Sequence, residues 1–137
     1  MTGVRTGLDR IAQGDSEAVR LVAGRNLGLL AHAASVDRSL RSAASILQQA
    51  GARVSALFGP EHGFAGAAQD MVGVGTHDAA EVPVYSLYGD DAEDLSPKPE
   101  WLRDLDAVVI DLQDVGARYY TYVWTAALTM KAAAAVG

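Results

Sequence analysis

Glu61 and His62 stand side by side directly after the apolar run Leu57-Phe58, which Gly59-Pro60 closes and Gly63-Phe64 follows. A carboxyl beside an imidazole is an acid and base pair of the kind proton transfer needs. Proline gives no N–H to a strand ladder and restricts the residue before it, so Gly59-Pro60 ends a strand and sets the pair on the loop that leaves it. Loops held by a rigid scaffold carry a large share of catalytic groups. Other polar residues break out of apolar runs in the same way: His32, Tyr88, and then Asp111, Gln113, Asp114, Arg118 and Tyr120.

The elements that must position these groups alternate between strand and helix. Leu27–Ala33, introduced by Asn26, is a short apolar run of the kind that forms a strand buried on both faces, and Arg53–Phe58 is a second strand. Between them Leu40, Ala43, Ala44, Leu47 and Ala50 recur at helical spacing, with Asp37 as a cap and Gly51 as a stop. A crossover of this length makes the two strands parallel neighbours. Val82–Tyr88 reads as a third strand, at an edge because of Pro83, and Asp106–Leu112 as a fourth.

The remaining segments are helices and loops. Gly7–Val22 reads as one helix or two short turns capped by Asp15 or Ser16, and Ser96–Leu105 as a short helix started by proline. Tyr119–Val136 reads as a long helix burying Val123, Ala126, Ala127, Met130 and Ala134. The acidic run Asp90–Asp94 is a solvated loop. No period holds between Gly59 and Glu81, and a loop that long inside a compact domain is usually functional. The pattern predicts an α/β fold: an open, mostly parallel sheet with flanking helices. In such a sheet ligands bind beyond the carboxyl ends of the strands, where every polar residue named above falls.

Composition narrows the partners. The chain has 137 residues, enough for one domain with a real core. Half are hydrophobic and 20% charged, too apolar a balance for disorder. A net charge of −6 with 11 Lys and Arg, clustered nowhere, speaks against nucleic acid. The absence of cysteine rules out disulfides, thiolate metal sites and cysteine nucleophiles. Met1–Gly7 lacks the apolar core of a signal peptide, and no run reaches the roughly 20 apolar residues of a membrane helix. As given, the chain reads as soluble and cytoplasmic; a signal sequence removed beforehand would make it periplasmic or secreted. A homo-oligomer stays open.

Each candidate has a structural alternative. Glu61 could cap a turn and His62 could orient its loop. His32 could be a satisfied buried histidine, and His77 a solvated one. Asp111 could bond the next loop, with Arg118 as an ion-pair partner for Asp111 or Asp114. Tyr119, Tyr120 and Tyr122 cannot all face one way on a helix, so at least one packs and at least one reaches the cleft. No His-x-His or His-x-x-x-His spacing supports a metal, and Gly73-Val74-Gly75 lacks the third glycine of a dinucleotide fingerprint, so neither metal nor cofactor is expected.

Three motifs, in order, carry a resemblance: Leu57-Phe58-Gly59-Pro60-Glu61-His62-Gly63, Val84-Tyr85-Ser86-Leu87-Tyr88-Gly89, and Asp111-Leu112-Gln113-Asp114-Val115-Gly116-Ala117-Arg118-Tyr119-Tyr120-Thr121-Tyr122. Together with Gly7-Leu8-Asp9-Arg10 and Gly28-Leu29-Leu30 they resemble the bacterial exo-β-N-acetylmuramidase family. The resemblance implies a Rossmann-like (flavodoxin-like) N-terminal catalytic domain over residues 1–137, with the family's C-terminal domain, the other wall of the cleft, absent. It implies a glycoside hydrolase that removes N-acetylmuramic acid from the non-reducing ends of peptidoglycan fragments.

It also implies Glu61 as the catalytic glutamate, with His62 and Asp111 beside it. Gln113, Asp114, Arg118 and Tyr120 match positions that line the cleft, and His32 and Tyr88 join them as strand-end candidates for substrate binding. Glycosidic cleavage usually uses one carboxylic acid and a second group as base or nucleophile. Glu61 is the expected acid, Asp111 or Asp114 the expected second carboxylate, and Arg118 the expected partner of the lactyl carboxylate of muramic acid. The alternative is a non-catalytic peptidoglycan- or sugar-binding α/β module, or a truncated remnant that folds without turning over.

Overall fold

The computed structural model describes residues 4–60 and 82–137. Among these, β1 (Asn26–Ala31), β2 (Arg53–Gly59), β3 (Val84–Ser86) and β4 (Ala107–Asp111) form one parallel sheet in the order β3-β2-β1-β4. The helices are α1 (Gly7–Ala12), α2 (Ser16–Arg20), α3 (Ala43–Gln49), α4 (Pro99–Leu102) and α5 (Tyr122–Val136), with a 3₁₀ turn at Ala92–Leu95. The expected α/β fold and parallel sheet are therefore present, with β3 at an edge.

Alternation along β1 divides the core into two layers. Leu27, Leu29 and Ala31 point into one cluster with Leu8, Val22, Ala43, Ala44, Ile46, Leu47, Val54 and Leu57, between the sheet and α1 and α3. Leu30 points the other way, into a cluster with Ala56, Phe58, Leu87 and Leu102, flanked by Trp101, Leu105, Ala132 and Val136. The β1–β2 register shifts between Leu27 and Gly28, which pair with Val54 and Ala56, so Ser55 is the extra residue of a bulge. That slip explains how Val54 and Leu57 reach the same layer. Gly28 is a close-approach position: a Cβ there would lie 2.8 Å from both Leu105 Cδ1 and Phe58 Cε2.

One side chain ties the amino ends of three strands together. Asn26 Nδ2 donates to the Asp104 carbonyl, its Oδ1 accepts from the Ser55 hydroxyl of the bulge, and its backbone N–H donates to Asp106 Oδ2 at 2.7 Å.

Three local expectations are corrected. Helix α3 starts at Ala43, capped by Ser42 whose side chain accepts from Ser45 N–H, and not by Asp37. Buried Asp37 instead holds the preceding turn, accepting the N–H groups of Ser39 and Arg41 and pairing with the Arg41 guanidinium at 2.7 Å. Leu40 lies outside the helix at φ 60 and is 81% exposed. Helix α5 buries Tyr122, Thr125 and Thr129, while Val123 (63%), Trp124 (67%) and Met130 (65%) face outward. It is apolar all round, so its sequence marks no single face; Ala132 and Val136 continue the docked stripe against the second cluster.

Candidate active site

The chain runs outward from β1 to β2 and β3, then crosses to place β4 on the other side of β1. The carboxyl ends of β1 and β4 therefore flank the point where strand order reverses, the place where an open α/β sheet leaves a crevice. Ala31 pairs with Asp111 across that point, so His32 and Asp111 emerge side by side. The residues come from the ends of two strands that are 79 apart in sequence only because β4 is added next to β1.

Hydrogen bonds fix the crevice from both walls. Ser35 Oγ accepts the His32 backbone N–H at 3.0 Å and donates to the Asp111 carbonyl, locking the two strand ends together. Gln113 N–H donates to His32 Nε2 at 2.9 Å, and Gln113 Nε2 donates to Asp111 Oδ1 at 3.1 Å. The other oxygen of this carboxyl, Oδ2, is buried and has no partner among the described residues. The His32 and Tyr122 rings meet in a T-shaped contact with centroids 5.1 Å apart, and Tyr122 in turn lies 5.3 Å from Tyr120.

Burial sets the protonation of this pair. It pulls the His32 pKa below the usual 6.5, with the neighbouring Asp111 carboxylate working in the opposite sense. It pushes Asp111 above the usual 3.8, and the His32 charge and the Gln113 hydrogen bond only partly offset it. Desolvation penalises the charged form of both groups, so each is biased towards neutrality. A carboxyl with a raised pKa and one uncommitted oxygen is suited to holding and passing a proton.

Beyond β4 the loop folds over itself. Asp114 Oδ1 accepts Gly116 N–H, and Gly116 takes a left-handed φ of 73 that a side chain would strain. Asp114, Arg118, Tyr120 and Trp124 line an open depression of about 320 Å³, together with Gly116 and Ala117. Arg118 makes no ion pair with Asp111 or Asp114 among the described residues, so the anticipated structural pair is not formed. Arg118 lines the depression and has no ion pair among the described residues.

The sequence candidates thus divide. His32, Asp111 and Gln113 converge, and Asp114, Arg118 and Tyr120 share the adjoining depression. Tyr88 follows β3, at the sheet edge, with β2 and β1 between that strand and β4. Glu61, His62 and His77 lie outside the described residues, which end at buried Pro60, just past β2. Of the tyrosines, Tyr122 packs (6% exposed), Tyr120 borders the depression and Tyr119 is 92% exposed. Trp124 was missed; it sits in the first turn of α5, and its closeness in sequence to Tyr120 was the available signal. No cluster of three metal-ligating side chains occurs among the described residues, and no helix there is long and apolar enough to cross a membrane.

Comparison with known proteins gives concordant results. The pattern of a family described as exo-β-N-acetylmuramidase NamZ, N-terminal, matches residues 27–137. A peptidoglycan β-N-acetylmuramidase NamZ from Bacillus subtilis (strain 168) is 41% identical over 133 residues, covering 95% of this chain and 31% of that protein. Two crystal structures of DUF1343 family proteins from Bacteroides fragilis are similar. One has a TM-score of 0.74 at 36% identity, over 96% of this chain and 32% of the other. The second has a TM-score of 0.65 at 23% identity, over 98% and 32%, and supports the fold alone. The chain therefore spans about a third of the length of the relatives it matches.

Proposed function

The chain belongs to the exo-β-N-acetylmuramidase NamZ family, whose N-terminal pattern it carries, and from that premise we propose that it forms the strand-end half of a muramidase active site. The reaction is hydrolysis of the β-glycosidic bond of a terminal N-acetylmuramic acid in a peptidoglycan fragment. The observation that carries the proposal is the 41% identity to a peptidoglycan β-N-acetylmuramidase across nearly the whole chain. The crevice between β1 and β4 supports it with a buried carboxyl oxygen, an arginine and two aromatic rings in adjoining positions.

Glu61 is the general acid that protonates the leaving glycosidic oxygen, with His62 beside it. Asp111 is the second carboxyl, and its raised pKa makes the ionised form a stronger base towards water. Gln113 holds one Asp111 oxygen and leaves the other for the reaction. Arg118 takes the lactyl carboxylate, the group that distinguishes muramic acid from glucosamine, through a two-pronged contact. Tyr120 and Trp124 offer faces for the sugar ring. The region resembles the N-terminal domain of a longer enzyme, whose C-terminal domain would supply the opposite wall.

The test is turnover of a chromogenic β-N-acetylmuramide by a full-length form that includes this region, with and without Glu61→Gln. Loss of roughly 10²- to 10⁴-fold in kcat is expected for removal of a general acid. Full activity in that variant would rule out the acid role. A second reading, a saccharide-binding module without turnover, is supported by the open depression that Arg118, Tyr120 and Trp124 line. Chromophore release by the longer form alone, with saccharide binding by both, would assign this chain to that reading.

A further inference from the structure

We infer that His32 is a positioning residue: its neutral imidazole accepts the Gln113 N–H on Nε2 and so latches the Gln113–Arg118 loop to the crevice, and protonation of the ring releases it. The inference rests on the functional proposal for one point only, that the latched loop carries the saccharide contacts Asp114 and Arg118.

Among the described residues, the hydrogen bonds of this loop run mostly within it. Within it, Gln113 Nε2 returns to Asp111, Gly116 N–H turns back to Asp114, and Tyr120 N–H reaches Ala117. Among the described residues, the bond from Gln113 N–H to His32 is the hydrogen bond that joins residues 112–118 to the β1 side of the crevice. A ring nitrogen accepts only with a free lone pair, so this bond requires the tautomer with its proton on Nδ1. An imidazolium has N–H on both nitrogens and would set one against the amide N–H. A single protonation thus turns an attraction into a repulsion at the loop's anchor.

The groups facing His32 come from three elements. The Asp111 carboxyl of β4 favours the charged ring, the Tyr122 ring at the start of α5 packs against it, and Ser35 from the following loop binds only its backbone N–H. Burial outweighs Asp111, which keeps the ring in the accepting form at neutral pH. His32 is thus committed to protein contacts through Nε2, which takes that nitrogen away from the substrate-binding role the sequence suggested.

Nitrogen NMR on the protein tests this without any enzymatic readout. At neutral pH a scalar coupling is expected between the Gln113 amide nitrogen and His32 Nε2, with Nε2 resonating as an unprotonated ring nitrogen. On acidification the coupling should vanish, and the amides of residues 113–118 should shift in step with the His32 titration. His32→Gln places an amide oxygen where Nε2 sits, and should hold those amides at their neutral-pH positions across the same range. His32→Ala should give the released pattern at every pH. A protonated Nε2 at neutral pH, or loop amides that titrate equally in His32→Gln, would overturn the latch. Added N-acetylmuramic acid should perturb the loop amides only while the loop is latched; perturbation independent of the His32 titration counts against it. A loop that titrates as expected yet ignores the saccharide at every pH upholds the latch and removes the muramate assignment instead.

Discussion

Asp111 and His32 show how two half-buried neighbours, both bonded to Gln113, tie chemistry to stability. The folded pKa of His32 lies below its unfolded value of 6.5, so the folded state binds fewer protons than the unfolded state in the window between them. Stability is therefore greatest above 6.5, falls as pH drops towards the folded value, and levels off beneath it. His32→Gln is expected to remove that part of the slope in a series of urea denaturations at stepped pH. Asp111 runs the other way, because its folded pKa is raised above 3.8 and the ionised form is disfavoured by burial. Asp111→Asn keeps the acceptor for Gln113 while deleting the charge. It should raise the melting temperature by a few degrees near neutral pH, by less as pH falls, and lower kcat of the proposed hydrolysis by about 10²-fold or more. A melting curve that does not respond to the substitution at any pH would mean that the carboxyl is not strained by its burial.

At the level of elements, close packing around β1 is the most exacting feature. Gly28→Ala would bring a methyl to 2.8 Å from Leu105 and Phe58, in the layer that supports β4. Overpacking of this kind costs about 1 to 3 kcal/mol, measurable as a lower denaturation midpoint with an unchanged slope. Ser42→Ala removes the cap of α3 and should cost about 1 kcal/mol by the same measurement. Both predictions concern elements whose existence the sequence made plain but whose limits it blurred. The spacing Leu40 to Ala50 marks a helix, yet Leu40 is drawn into a turn organised by Asp37 and Arg41, a local competition that periodicity does not register. Helix α5 shows the opposite difficulty: with apolar residues on every side, only its docking against β4 and α4 picks out Tyr122, Thr125 and Thr129 as the inner face.

For the molecule as a whole, the order β3-β2-β1-β4 puts the most buried strand in the centre and the shortest at one edge. Amide exchange should accordingly be slowest at Leu29 and Leu30 and fastest, among strand residues, at Tyr85 in β3. Comparable protection across all four strands would contradict the topology. The sequence by itself determined the alternation of strands and helices and the placement of polar residues at strand ends, because hydrophobic period, turn residues and caps act over a few neighbours. It also supplied the motifs that tie the chain to its family. Only the tertiary structure decided that β4 lies beside β1. That neighbourhood brings Gln113 to His32, 81 residues earlier. Such pairings depend on which strand ends become neighbours, and the sum of burial over the whole sheet settles that, beyond the reach of any local run of residues.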